Sequence, residues 1–181
     1  MRSSAFLFLL LGAAACATAA PSPAPGPDRV LVVDTDGSVV HQSTLDENAR
    51  ATFAAPKARV WRALVNAYTT LAILPTANDP TTGQYGNAGF LVPRRIVGRP
   101  ISEFFSCGTS MTGPRIDNGR VYGNVMSVVS DNGAGGSTVV THVSATLRPN
   151  DGTSTEPSQC ASTGALEELL RKNIQQSLSS P

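Results

Sequence analysis

The chain has 181 residues, of which 14 are basic and 13 are acidic, and its formal net charge is +1. This length leaves room for one domain of ordinary size. The nearly balanced charge creates no global field that would hold nucleic acid or an acidic polymer, so nucleic acid is excluded as a partner.

The N-terminus has the pattern of an export signal. Arg2 precedes an apolar stretch at residues 5–11, and small residues follow up to Cys16. Because the apolar stretch is too short to span a bilayer, we expect residues 1–19 to be removed as a signal peptide.

The stretch LLGAAAC resembles the lipobox of bacterial lipoproteins, in which small residues precede an invariant cysteine. The resemblance implies a leader of residues 1–15 and a lipid on Cys16 that anchors the protein to a membrane, facing the periplasm. Ala13 stands where the lipobox usually has leucine. Ordinary secretory cleavage after Ala15 or after Ala19 is the alternative, and it would give a soluble periplasmic or secreted protein.

Residues 16–28 alternate proline with small residues and have no apolar periodicity. This composition predicts an extended tether that rises about 3 Å per residue. After a lipidated cysteine, such a tether would hold a folded domain away from the membrane. We predict a single α+β domain over residues 29–181.

The domain is predicted to open with strands at residues 30–33 and 39–42 around an Asp-Gly turn. Asp34-Thr35-Asp36-Gly37 resembles the opening of a calcium loop, but Val39 and Leu45 stand where that loop needs glycine and an acid. We interpret this segment as a turn. A further strand is predicted over Ala49–Ala54.

A long central helix is predicted over Pro56–Ile73. Pro56 suits the first helical position, and Pro75 is expected to end the helix. The apolar stripe at helical spacing consists of Val60, Leu64, Ala67 and Leu71, broadened by Trp61, Val65, Tyr68 and Ala72.

The rest of the domain is predicted to be mostly strands followed by a helix. The predicted strands cover residues 84–92, 94–101, 120–130 and 137–148, the last two joined by the loop DNGAGG. Glycines 86 and 89 predict a bulge or a close backbone approach. A C-terminal helix is predicted over residues 163–178, with Thr163 as its N-cap.

The sequence contains three cysteines, and their number predicts which two form a disulfide bond. With Cys16 assigned to the leader or to lipidation, Cys107 and Cys160 remain in an exported domain, which predicts a disulfide bond between them. Closing a loop of about fifty residues would stabilise the fold by about 4 kcal/mol in the chain-entropy model.

No motif points to catalysis, a cofactor or a metal. His41 and His142 both lie in predicted strands without further ligands at zinc spacing, and we interpret them as exposed. The sequence has no nucleophile elbow, phosphate loop or dinucleotide fingerprint. We therefore predict a protein that is not an enzyme and that binds neither a metal nor a cofactor.

A cluster of arginines is the remaining charge feature. Arg94, Arg95, Arg99, Arg115 and Arg120 lie in a stretch whose acids are Glu103 and Asp117. This cluster predicts a basic binding face for anionic lipid head groups or an acidic partner. The alternative is that these arginines only keep exposed strands and loops soluble.

The order of elements predicts an α+β fold in which an antiparallel sheet packs against the central and C-terminal helices. The stretch AAPKARVWRALVNAYTTLAI, followed by DPTTGQYG, resembles the helix-grip modules in lipoprotein C of the outer-membrane β-barrel assembly machinery. In both, a strand ends in alanine, a Val-Trp helix follows, and an Asp-x-x-x-Gly turn starts the next strand. The resemblance implies a helix-grip fold and a location in the cell envelope.

We therefore expect a non-catalytic envelope lipoprotein that binds a protein or another envelope component. The alternative is a periplasmic carrier that holds a small apolar ligand between sheet and helix, where the glycines at 86, 89 and 123 would make room. A hydrolase is the third hypothesis.

Overall fold

The computed structural model describes residues 29–33, 39–43, 49–111, 113–150 and 156–180, the first two ranges by their backbone alone. The helices are α1 (Lys57–Thr70) and α2 (Ala165–Ser179). In chain order the strands are β1 (Arg29–Val33), β2 (Val39–Ser43), β3 (Arg50–Phe53), β4 (Ala77–Asp79), β5 (Gln84–Leu91), β6 (Arg95–Ile96), β7 (Arg99–Pro100), β8 (Phe105–Ser106), β9 (Thr109–Ser110), β10 (Gly113–Pro114), β11 (Gly119–Asp131), β12 (Ser137–Pro149) and β13 (Ser158–Ser162).

The predicted α+β class is confirmed: the described residues form an antiparallel sheet with two helices, one of them C-terminal. The strand order is β4-β5-β11-β12-β13-β8. β11 and β12 pair over their whole length, from Gly119 opposite Pro149 to Asp131 opposite Ser137. β3 pairs with the first residues of β12, and β13 pairs near its end.

The hydrophobic core lies between the helices and one face of the sheet. Alternate residues of β11 and β12 are buried, as the period of two along a strand requires. The helices cover this face with Val60, Leu64, Leu166, Leu170 and Ile174, each exposed by 1% or less. Burial of a side chain of this size contributes about 2 kcal/mol.

Helix α1 is shorter than the predicted helix. Pro56 is its N-cap, with extended backbone, rather than its first helical residue. The helix ends at Thr70 because Ala72 adopts a positive φ of 55°, which lets the Ile73 N–H donate to the Tyr68 carbonyl at 3.0 Å and turns the Ile73 side chain into the core. The helix therefore ends before Pro75, and Pro75 is not the residue that terminates it.

Helix α2 also starts differently from the prediction. Gly164, with a φ of 83°, occupies the N-cap position, and no side chain caps the helix. Thr163 instead joins the helix entry to the segment before β8: its backbone N–H donates to the Phe104 carbonyl at 3.1 Å, and its hydroxyl donates to the Glu103 carbonyl at 2.6 Å.

Several predicted strands are confirmed. β1 and β2 pair antiparallel with Val33 opposite Val39, although the turn at residues 34–38 lies outside the described residues. β5 forms as predicted, with an irregular register against β11 between Gly123 and Val125. A Cβ on Gly86 would lie 2.2 Å from the Val125 carbonyl oxygen, which is the close backbone approach that the sequence predicted, whereas Gly89 has open space around it.

The chain between β5 and β11 contains more structure than predicted. The predicted strand at residues 94–101 is the hairpin of β6 and β7, which turns at Val97 and Gly98. Both turn residues have a positive φ, the geometry of a two-residue hairpin loop. The strands β4, β8, β9, β10 and β13 lie in segments for which the sequence analysis predicted no strand.

Candidate functional site

Two arginines of the predicted basic face come together in one solvent-open pocket. Arg94 follows β5, and Arg120 lies near the start of β11, so the antiparallel pairing of these strands brings the two residues to the same end of the sheet. The pocket has a volume of about 450 Å³ and is lined by Leu91, Val92, Pro93, Arg94, Ile101, Gly119, Arg120, Val121 and Asn150. We call it the Arg94–Arg120 pocket.

The Arg94–Arg120 pocket combines cations with apolar walls. Val92, Ile101 and Val121 are almost fully buried, and no carboxylate lies among the lining residues. Arg94 uses one Nη1–H to bind the Ile116 carbonyl at 2.9 Å, which holds its guanidinium in place. Such a pocket can take a ligand that has an anionic group on an apolar body.

The remaining arginines of the predicted face lie in short local elements outside this pocket, Arg95 and Arg99 in the β6–β7 hairpin and Arg115 in a turn. Arg95 donates to the Gly98 carbonyl at 2.7 Å, which closes the β6–β7 hairpin. Arg99 binds the carboxylate of Glu103 at 2.7 Å and stacks over the Phe104 ring at 4.9 Å from its centroid. Arg115 lies in a short 3-10 turn, and its backbone N–H donates to the Gly108 carbonyl.

The predicted disulfide bond between Cys107 and Cys160 is present, with a Cα–Cα distance of 4.2 Å. β8 pairs with β13 through Ser106 opposite Ala161, and the two cysteines follow as the next opposed pair of this ladder. The bond therefore ties the segment before β9 to the strand that leads into α2. This disulfide is compatible with an exported protein in an oxidising compartment.

A second pocket, which the sequence analysis missed, is lined by three arginines. It lies between β3 and α2, has a volume of about 510 Å³ and includes Arg50, Arg59 and Arg171 among its lining residues. Arg50 and Arg59 flank the β3–α1 junction, but Arg171 is more than a hundred residues away along the chain. No local sequence pattern could have shown that these three residues line one pocket.

A buried hydrogen-bonded chain crosses the helix–sheet interface. The Tyr68 hydroxyl lies 2.9 Å from Ser127 Oγ, which lies 2.8 Å from Thr141 Oγ1. Burial raises the pKa of the Tyr68 phenol above its usual value of 10. The phenol therefore stays protonated near neutral pH, and we interpret this chain as satisfying polar groups within the core.

The other predicted site residues are placed as follows. His142 is exposed on the outer face of β12, as predicted, while the His41 side chain and Cys16 lie outside what the structure describes. Within the described ranges, no three His, Cys, Asp or Glu side chains are grouped closely enough to hold a metal ion. The same part of the chain has no helix that is long and apolar enough to cross a membrane.

Comparison with known protein families finds no matching family, and no curated protein gives a significant match to the chain.

Proposed function

We propose that this protein is an exported, non-catalytic lipoprotein, anchored through Cys16, whose domain binds an anionic amphiphilic component of the cell envelope. Two features outside the site support the location. The leader and tether at residues 1–28 have the composition of an export signal and a spacer. The Cys107–Cys160 disulfide is compatible with an oxidising compartment.

The observation that carries the binding role is the composition of the Arg94–Arg120 pocket. Arg94 and Arg120 line the pocket together with the buried apolar residues Val92, Ile101 and Val121, and no acid is among the lining residues. A carboxylate or phosphate would interact with the guanidinium groups, while an attached apolar chain of modest size would contact Val92, Ile101 and Val121.

The helix-grip relationship is part of the same proposal. Its support is the order of β3, α1 and β5, together with the contact of α1 with β11 through the hydroxyl of Tyr68. The packing beneath α1 favours binding at the open pocket over a central carrier cavity, because Val60, Leu64 and Tyr68 are fully buried there.

The anchor is tested by metabolic labelling with palmitate. We expect the label in the natural protein and its complete loss in Cys16→Ser. Ala13→Leu, which restores the usual lipobox leucine, is the matched control and should keep the label. An unlabelled, soluble mature protein would show ordinary secretory cleavage and would remove the lipid anchor from the proposal.

The pocket is tested with decanoate as an anionic amphiphile and decanol as its neutral counterpart. We expect decanoate to bind at least tenfold more tightly than decanol, because only the carboxylate can pair with Arg94 and Arg120. Arg120→Gln should abolish this preference, whereas Arg62→Gln, an exposed arginine on α1, should keep it. Equal binding of both probes would contradict an anion-selective pocket.

A further inference from the structure

Strand β3 has one paired edge. Its residues Arg50 to Phe53 pair with Val140 to Ser137 of β12. Among the strands that the structure describes, β12 is the one partner of β3. The other edge of β3 therefore presents backbone N–H and C=O groups that a further strand could bind.

A groove runs beside β3. Residues 50–55 form one wall of the 510 Å³ pocket, and α2 forms the opposite wall through Arg171, Gln175 and Leu178. These α2 residues are spaced by four and three positions, so they lie on one side of the helix. The four residues of β3 span about 13 Å, and the α2 wall spans about 10 Å. The groove is therefore long enough for an extended segment of three to four residues.

The positive charges that line the groove favour a segment with acidic side chains. Arg50, Arg59 and Arg171 line it without any carboxylate among the lining residues. Arg171 is held by two hydrogen bonds to Glu168 at 2.6 and 2.7 Å, and Arg59 donates to the Leu178 carbonyl at 2.7 Å. Two of the three guanidinium groups are thus fixed in position before any ligand arrives, and each keeps unused N–H donors.

Arg50 is the least engaged of the three arginines. It is exposed on the edge strand itself, and its guanidinium has no hydrogen bond or ion pair with another described residue, since Arg50 joins β12 through its backbone alone. A carboxylate that lies along the outer edge of β3 would therefore find one unengaged guanidinium on the strand and two positioned ones, Arg59 on α1 and Arg171 on α2, of which Arg171 already pairs with Glu168.

We propose that this groove binds an extended peptide segment with acidic side chains, which adds as a strand to the free edge of β3. Backbone hydrogen bonds to β3 supply the alignment, and the arginines select for carboxylates. This inference names a partner class for the proposed binding role, but it depends on neither the lipid anchor nor the Arg94–Arg120 pocket.

The charge selection is tested with capped pentapeptides that alternate valine with glutamate, and with the matching valine–glutamine series. The mature protein purified from the envelope is titrated with each peptide by calorimetry. We expect the glutamate peptide to bind at least tenfold more tightly, and added salt to weaken it. Arg50→Gln should weaken it about tenfold without unfolding the protein, since the Arg50 side chain makes no hydrogen bond or ion pair with another described residue and the backbone pairing with β12 is kept. Arg62→Gln should change nothing. Equal binding of the two peptide series would overturn the proposal.

Strand addition is tested by N-methylating alternate peptide amides, which removes N–H donors from one edge of the peptide at a time. We expect methylation of one alternating set to abolish binding and methylation of the other set to be tolerated. We also expect the bound peptide to slow hydrogen exchange of β3 amides. If inorganic phosphate binds as tightly as the peptide and methylation has no effect, the groove is a simple anion site and the proposal fails.

A further outcome concerns the chain itself. If free-edge amides of β3 are already protected in the peptide-free protein, a segment of this chain occupies the edge, and the proposal is overturned. Palmitate labelling and decanoate binding would be unaffected by either failure, so the two proposals are separately testable.

Discussion

The helix–sheet layer and the connecting segment between β5 and β11 reach a buried state by different means. The layer, made of α1 on β5, β11 and β12, buries side chains at regular helix and strand periods. The connecting segment, residues 92–118, has strands of two residues and two 3-10 turns. Its core residues are nevertheless as buried as those of the layer: Val92, Ile96, Ile101, Phe104, Phe105 and Ile116.

The difference shows how irregular chain can be held in a compact fold. Two-residue strands supply few ladder hydrogen bonds, so the connecting segment depends on links to distant parts of the chain. These are the Cys107–Cys160 disulfide and the contacts of Thr163 with Glu103 and Phe104. Within the segment, the hydrogen bond from Arg94 to the Ile116 carbonyl joins its two ends. The layer has thirteen-residue strands that pair along their length and needs no covalent link.

The largest expected effect comes from breaking the disulfide. A closed loop with a sequence separation of 53 corresponds to about 4 kcal/mol of unfolding free energy in the chain-entropy model. Cys107→Ser, Cys160→Ser and the double variant should all lose this amount, because all three lose the same bond. Hydrogen exchange should accelerate more in the connecting segment than at the centre of β11.

Thiol titration of denatured, unreduced protein is the first control of this prediction, and it should detect no thiol at Cys107 or Cys160. Two reactive thiols at these positions would show that the disulfide is not formed. A double variant less stable than both single variants would show that the cysteines stabilise the fold by more than this one bond.

The second expected effect comes from a cavity in the layer. Leu64 lies on the core-facing side of α1 and is fully buried, so Leu64→Ala should lower the unfolding free energy by about 3 kcal/mol. Leu74 is 79% exposed, and Leu74→Ala should change stability by less than about 0.5 kcal/mol. Chemical denaturation measures both variants. A similar loss in both would mean that α1 is not an anchor of the core.

The smallest expected effect concerns a surface ion pair of α2. Hydrogen bonds from Arg171 lower the pKa of Glu168 from 4.5 to about 2. Because the folded pKa is the lower one, the pair stabilises the protein above about pH 4.5, and this contribution is lost as the pH falls toward 2. The Glu168 side chain is 28% exposed, so solvent limits the contribution to about 0.5 kcal/mol.

Glu168→Gln tests this by removing the titrating group. The natural protein should lose about 0.5 kcal/mol more than the variant between pH 5 and pH 2, as measured by denaturation at each pH. An identical pH dependence of the unfolding free energy in both proteins would show that the ion pair does not contribute to stability. A much larger difference would show that Glu168 also stabilises the packing of α2 against the rest of the domain.

The basic residues illustrate what the sequence could and could not predict about the candidate site. The excess of arginine at residues 94–120 was visible from composition, and two of its members do line one pocket. The division of the other three among local turns was not visible, because a hydrogen bond such as that from Arg95 to Gly98 depends on the hairpin geometry. Arg171 and Arg50 line one pocket only because α2 returns to β3, near the beginning of the domain.

The sequence by itself determined the α+β class, the β11–β12 hairpin, the two helices and the cysteine pairing. Each of these depends on local periodicity or on a count: alternating valines predict a half-buried strand, apolar residues at helical spacing predict a helix, and the two cysteines outside the predicted leader have one way to pair. Only the tertiary structure decided where α1 ends, where the short strands pair and which arginines share a groove. These features arise from the packing of segments far apart in the chain, which sets Ser106 opposite Ala161 and places Arg50 and Arg171 around one pocket, and the free energy of such packing has no signature in the local sequence.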